Sequence, residues 1–368
     1  SAVSELPIRG PYDDAQSYEK AIEQTPYRFS AERAKKWGGT ATIPLLPDDL
    51  RSVDVFDTLE GHTFIGDDSA EWYPVPYQEL NASQDKKADD GTRIMHMVED
   101  RPDNYWPVYK GESFNIWTPR AGSVYGWADP DVLIDYMQNK REGSYRYAGS
   151  RSSFSDMSEE WVYDQHTLPC LSPRIAFRDI ARRTDSRTVI SSLIPPKTVM
   201  VHNSPTLIFP KGNQEDEAYL LGVLSSIPLD WYARRFVEAH VTFGIFNTLP
   251  VPRPGRNDRL RQRVVELSGR LSAVDDRYAD WADVVDVDYG PLSEDTKQEK
   301  IYELDAVVAH LYGLTREHVE VIFETFHDGW NYEERLERVL DYYESWGDRL
   351  DLDHSEETAA EPPDSGER

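Results

Sequence analysis

The sequence predicts an α+β fold: a mixed, β-rich domain in the middle of the chain, a helical C-terminal region after it and an acidic tail. Three observations carry this reading. Short aromatic and β-branched runs broken by Gly, Pro and Asn fill much of residues 60–210. After Asn257, apolar residues recur at three- and four-residue spacing. From Asp351 the chain is acidic and proline-containing, a composition that reads as disordered. The expected units are therefore a helical connector at 1–50, a β-rich domain at 51–255, a helical region at 256–350 and a tail at 351–368.

In the connector, 14–24 and 30–37 are helical candidates, the second with Ser30 as N-cap. TATIPLL then reads as a strand and Pro47-Asp48-Asp49 as a turn. In the β-rich unit, 63–65 and 72–77 are short aromatic runs, and 84–91 is a polar loop. Residues 105–127 alternate aromatics and glycines in strand fashion. A helix over 130–140 places Val132, Leu133, Tyr136 and Met137 on one face, and 141–156 reads as a polar loop. Strands follow at 174–179, 188–193, 199–202 and 206–209, with turns at 184–186 and at Pro195-Pro196. Helix 215–226 turns Tyr219, Leu220, Val223 and Leu224 inward, breaks at Pro228 and resumes over 229–237. VTFGIFNTLPVPRPG reads as a strand running into a Pro-x-Pro-x-Pro exit. Leu260, Val264, Leu267, Leu271 and Val274 form the stripe of the next helix; 300–326 holds two more around Gly313, and a last amphipathic helix contains Val339 and Trp346.

With 67 acidic and 40 basic side chains the net charge is −27, which repels a polyanion. Evenly spread Asp and Glu, with few Lys relative to Arg, also match a protein adapted to molar salt, where the Debye length is about 3 Å and only local patches speak about partners. One stretch runs against the overall sign. Between Pro173 and Lys211, Arg174, Arg178, Arg182, Arg183, Arg187, Lys197 and Lys211 face only Asp179 and Asp185, a balance of +5 that calls for an anionic partner. The single cysteine, Cys170, excludes an intramolecular disulfide and fits a reducing cytoplasm. No apolar run is long enough for a bilayer, and there is no signal peptide. The start at Ser1, directly in polar sequence, reads as the later part of a longer polypeptide.

No Gly-x-Gly-x-x-Gly, Walker loop, Gly-x-Ser-x-Gly or His-Glu-x-x-His is present. Asp164, His166 and Cys170 in WVYDQHTLPC give the nearest metal-like spacing, and it is a low-specificity signal that reads as a plain loop. What remains is a binding constellation. Arg178, Arg182, Arg183 and Arg187 offer planar guanidinium groups for phosphates or guanine, and Lys197 adds a further cation. Thr184, Ser186, His202, Asn203 and Ser204 supply donors and acceptors of the kind that read base edges. Arg234 and Arg235 close a helix ahead of His240 and Thr242, which could face the same ligand. The competing reading is a solvated arginine face paired with the protein's many acids, or cations favoured at a helix C-terminus. Tyr105, Trp106, Tyr109, Phe114 and Trp117 read as core.

Four ordered blocks carry a resemblance: YWPVYKGESFNIW; PRIAFRDIARRTDSRTVISSLIPP with HNSPTLIF; LLGVLSSIPLDWYARRF leading to FGIFNTLPVPRP; and KIYELDAVVAHLYGLTREHVEVIFETF. Over residues 60–330 they resemble the C-terminal half of large adenine-specific DNA methyltransferases, the type IIG restriction-modification enzymes and the methyltransferases of the BREX and DISARM phage-defence systems. The helices after the proline exit also resemble type I restriction specificity subunits. The resemblance implies a target-recognition region that grips double-stranded DNA while a core elsewhere transfers methyl from S-adenosylmethionine to adenine N6. The family's Asn-Pro-Pro-Tyr-type tetrapeptide and glycine-containing cofactor strand are missing from this sequence, so no catalytic or cofactor residue carries over. The methyltransferase core is then expected upstream or on a partner chain, with defence-system subunits as further partners. Two other function classes stand beside this one: an interaction scaffold without DNA binding of its own, and a metal-dependent nuclease.

Overall fold

The computed structural model describes residues 5–8, 15–23, 26–30, 32–33, 44–45, 50–88, 90–147, 152–182 and 185–360. They form a mixed α+β structure, as the sequence predicts.

The N-terminal residues hold strand β1 (Glu5–Ile8), helix α1 (Ala15–Glu23) and strand β2 (Tyr27–Ser30), the strands pairing antiparallel. The connector read as helical thus contains a small sheet as well; four-residue strands are too short to leave a period in the sequence. Ser30 does act as a cap, its Oγ accepting from the Arg33 N–H at 3.1 Å. The rest of the helix expected at 30–37, the Pro47 turn and most of TATIPLL lie outside the described residues.

Helix α2 (Leu50–Glu60) leads to two four-stranded sheets. The first joins β3 (Tyr73–Tyr77), β7 (Arg174–Phe177), β8 (Ser191–Ile194) and β10 (Thr206–Lys211) in the order β3-β10-β7-β8, antiparallel throughout. The second joins β4 (Met95–His96), β5 (Trp106–Tyr109), β6 (Gly126–Ala128) and β9 (Val199–Met200) in the order β4-β6-β5-β9, with β5 and β9 parallel. Helix α3 (Pro130–Arg146) packs Leu133 and Met137 onto the second sheet beside Val108, Leu168, Cys170 and Val199. It is a turn and a half longer than predicted, because Arg141 lies in it fully buried. That guanidinium donates to Thr167 Oγ1 at 2.9 Å and to the Asp164 carbonyl at 2.7 Å, and sits 4.8 Å from the Trp161 ring centroid. Helix α4 (Glu159–Tyr163) supplies that ring.

The main core gathers around helices α5 (Gln214–Ser225) and α6 (Ile227–Ala233). Asn213 opens α5 with a reciprocal capping box to Asp216, and Pro228 begins α6 where no N–H partner is needed. Every residue of α5 from Asp216 onward is buried. Against it pack α8 (Arg259–Ser272), α9 (Ala279–Val285) and α10 (Glu294–Leu311), followed by α11 (Arg316–Glu324) and α12 (Glu333–Ala360). The apolar stripe predicted for 260–274 faces this core, with Leu260, Val264, Leu267 and Leu271 buried. The core includes residues from Phe29 to Trp346, on both sides of position 255. Helix α12 continues through residues 351–360; 361–368 lie outside the described residues.

One prediction fails clearly. VTFGIFN is not a strand but helix α7 (Phe243–Asn247), started by the Thr242 side chain, which accepts from the Ile245 N–H at 3.2 Å. The local alternation suggested period two, and capping by Thr242 overrides it. The prolines that follow are tied down on both sides. Val251 N donates to the Thr63 carbonyl at 2.8 Å, Tyr312 Oη to the Pro250 carbonyl at 2.7 Å and Tyr219 Oη to the Pro252 carbonyl at 2.9 Å.

Candidate nucleic-acid interface

The basic stretch resolves into cations that hold the fold and cations that face outward. Arg174 is buried, with Nε and an Nη on the two Glu79 oxygens at 2.6 and 2.7 Å and a further bond to the Thr198 carbonyl. Arg187 donates through Nε to Asp230 and through an Nη to the Ser225 carbonyl at 2.8 Å. Arg234 is buried over the Phe326 ring, 4.3 Å from its centroid, and donates to the Ser186 carbonyl at 3.2 Å. Arg235 is buried over Trp231 and donates to the Trp231 and Thr325 carbonyls. Each guanidinium is committed to internal partners. Much of the sequence's +5 balance is therefore answered inside the molecule, by Glu79 and Asp230 above all.

Arg182 and Lys197 are exposed. The Arg182 N–H bonds Asp185 Oδ2 at 2.9 Å, which fixes the turn and leaves the side chain outside it. Lys197 stands at φ +59°, its N–H on the Cys170 carbonyl at 2.8 Å. His240 lies 3.3 Å from Asp179 Oδ1, where the strand register continues as an isolated bridge between Ile180 and His240. Asn203 accepts the Asp179 N–H through its carbonyl at 3.1 Å, and Ser204 is buried against the Asn203 side chain. His202 lies farther off, its Nδ1 accepting from the Ala82 N–H at 3.2 Å. Thr242 is the helix cap already described. Arg183 and Thr184 lie outside the described residues.

Arg178 differs from its neighbours. It is half-buried 5.8 Å from the Phe114 ring centroid, donates one hydrogen bond to the Phe114 carbonyl, and has no carboxylate within ion-pair distance among the described residues. Burial depresses its affinity for a proton, with Glu112 and Asp185 opposing the effect from a distance.

Arg178 lines a cleft of about 640 Å³ together with Asp185, Ser186, Arg187 and Ile190. Asn115, Ile116 and Trp117 come into it from a two-residue turn closed by reciprocal Asn115 and Thr118 backbone bonds at 2.8 Å. Trp117 holds φ +55° in that turn, unusual for a bulky residue, so the turn is held against local preference. Helix α10 contributes Glu294, Lys297, Gln298 and Ile301 to the lining, and α12 adds Arg335. Arg335 is bound to Asp305, with Nη to Oδ2 at 2.5 Å. The cleft thus collects the first, second and fourth sequence blocks, while Arg234 of the third holds Ser186 from behind. Lys297, Gln298 and Arg335 carry no signal in the sequence as ligand-facing residues. They sit on helices legible only for their apolar stripes.

Of the five aromatics read as core, Trp106, Tyr109, Phe114 and Trp117 are buried, whereas Tyr105 is only half-buried and stacks edge-on with His96. The metal-like trio does not converge. Asp164 caps a short turn through the His166 N–H at 2.9 Å, whereas Cys170 is buried in the second core and its thiol is pushed up to about 12 by desolvation. Among the described residues no group of three or more His, Cys, Asp or Glu could hold a metal ion, and no helix is long and apolar enough to cross a membrane.

No family model and no curated protein matches the chain. Among solved structures it has a distant neighbour, the type IIL restriction-modification enzyme MmeI in complex with DNA, at a TM-score of 0.36 and 12% identity. The match covers 89% of this chain and 41% of that one, so the chain spans less than half the length of the protein it resembles.

Proposed function

We propose that this chain is the DNA-binding, target-recognition portion of an adenine-N6 DNA methyltransferase serving restriction-modification or phage defence. The methyl-transfer core would lie outside these residues, upstream or on a partner chain. S-adenosylmethionine would belong to that core, and no residue of this sequence is assigned to it. The buried thiol of Cys170 fits a reducing, cytoplasmic setting. The observation that carries the reading is the convergence of three resembling blocks on one cleft, where Asn115, Arg178 and Ile301 come from far apart in the chain. Arg182, exposed next to the turn that brings Asp185 to the cleft, is a natural phosphate contact, and Lys197 and Lys211 are further exposed cations of the basic stretch. At molar salt counterion release contributes little, so hydrogen bonds and shape carry the affinity. The test is fluorescence anisotropy with methylation-site duplexes in high KCl. Unchanged affinity after replacing Arg178 and Arg182 with Ala would remove this segment from the interface.

A second reading, a scaffold that docks a defence-system subunit through its helices, draws on the internal commitment of Arg187, Arg234 and Arg235, which thins the outward positive charge. It predicts co-purification with a partner and no shift of any duplex.

A further inference from the structure

The chemistry of the cleft is more specific than a general attraction for DNA. In an acid-rich protein, most buried or half-buried arginines find a carboxylate: Arg174 has Glu79, Arg261 has Asp216 and Arg263 has Glu303. Others are satisfied by carbonyls and rings, as Arg235 is by the Trp231 and Thr325 carbonyls and Arg270 by those of Gly290 and Pro291. Arg141 reaches three acceptors and a ring, and Arg253 donates to the Trp72 carbonyl at 2.6 Å and to the Ile65 carbonyl while stacking on Trp72. Arg178 has a single acceptor, although a guanidinium carries five N–H donors.

Lys297 lines the same cleft from the first turns of α10, half-buried and without a side-chain partner among the described residues. A cation near a helix N-terminus opposes the helix dipole, an effect that Glu294, three residues earlier on the same lining, offsets. Arg187 and Arg335 are neutralised from behind by Asp230 and Asp305. Asp185 and Glu294, the acids on the cleft wall, are exposed, and Asp185 is engaged by the Arg182 N–H. Solvated carboxylates of this kind are screened in salt, while a desolvated guanidinium is not. Asn115 and Gln298 bring amides to the lining, with Asn115 Oδ1 accepting the Ile116 N–H at 2.9 Å and its Nδ2 left as donor. A volume of about 640 Å³ falls in the usual range of about 300–1,000 Å³ for sites that enclose a small molecule.

The geometry points to a nucleotide phosphate held between Arg178 and Lys297, with the Asn115 and Gln298 amides available to the attached base. The nucleotide belongs to a DNA strand if the target-recognition reading holds; the phosphate chemistry does not depend on that reading.

The experiment compares the wild-type chain with Lys297→Gln, Lys297→Arg and Arg178→Gln, using a 20-base-pair duplex and dAMP as separate probes over a KCl series. Lys297 is half-buried on a helix surface and unbonded, so its variants keep the fold even if Arg178→Gln does not. Expected is a loss of about tenfold in duplex affinity for Lys297→Gln, the scale of one charge-assisted hydrogen bond, with the salt slope reduced by about one and recovery in Lys297→Arg. If dAMP alone raises the melting temperature, and only with Lys297 or Arg present, the phosphate site stands and the DNA reading falls. If the duplex binds all variants with equal affinity and slope, the cleft assignment is overturned and the DNA reading survives. If neither probe binds, both are overturned.

Discussion

Trp281 Nε1 donates to Glu217 Oε2 at 2.8 Å while Glu217 Oε1 accepts the Ile175 N–H at 3.2 Å, so one buried carboxyl joins α9, α5 and the edge of β7. Desolvation pushes its pKa from 4.5 up to about 7, against the pull of these two donors and of Arg174. The folded state therefore binds this proton more tightly than the unfolded chain. The group's contribution is most favourable below the ordinary carboxylate pKa, weakens as pH rises through the window between the two values, and is at its worst above about 7. Glu217→Gln removes the titration at a pH-independent cost, because the amide has one oxygen for two donors that bond different carboxylate oxygens. It should raise the melting temperature more at pH 8 than at pH 5, by at most about 3 kcal/mol of stability. Equal shifts at the two pH values, measured by calorimetry in fixed KCl, would refute the assignment.

Glu79 is the hub of the two sheets. Beyond its bidentate pair with Arg174 it accepts the Met200 N–H at 2.8 Å, so it links β7 to β9. Glu79→Ala leaves a buried guanidinium unpaired and should cost about 3–5 kcal/mol in denaturant titration. A cost below about 1 kcal/mol would mean that Arg174 finds another partner.

At Gly222 helix α5 packs directly on α8. A Cβ there would stand 2.6 Å from Val264 Cγ1 and 3.1 Å from Ser268 Cβ. Gly222→Ala should destabilise by about 1–3 kcal/mol despite the better helix propensity of alanine. Adding Val264→Ala to that variant should cost less than Val264→Ala costs the wild type, a coupling readable from a double-mutant cycle.

Arg182 and Arg187, five positions apart in a stretch that reads as one patch, should behave oppositely. Arg182→Ala should change stability by no more than about 0.5 kcal/mol and weaken duplex binding. Arg187→Ala removes one cation from the buried Asp230, which keeps the Thr188 N–H at 3.0 Å and Arg234 at 4.0 Å, and should cost about 1–3 kcal/mol, with duplex affinity unchanged in whatever fraction remains folded. Thermal melts and anisotropy on the same samples separate the two.

The helices after Asn257 were legible because a stripe such as Leu260, Val264, Leu267 and Leu271 is written at the period of the structure it makes. The end of α3 was not, because Arg141 is polar in sequence and becomes core only through Thr167 and Trp161. The basic stretch shows the same limit. Its composition is plain, but the acids that answer Arg174 and Arg187 lie 95 and 43 residues away, and only the folded chain brings them into contact. The cleft was half visible: Arg178 stood out by charge, whereas Lys297 became interesting only through what it faces.

Helix α5 lies with its whole length from Asp216 to Ser225 out of contact with solvent, wrapped by both sheet and helices. Its amide hydrogens have no route to exchange with deuterated water short of dismantling what surrounds them. Their exchange rates would report the free energy of opening the entire core. In this molecule ten consecutive residues could serve as an internal clock for global unfolding, against which opening around the cleft can be timed.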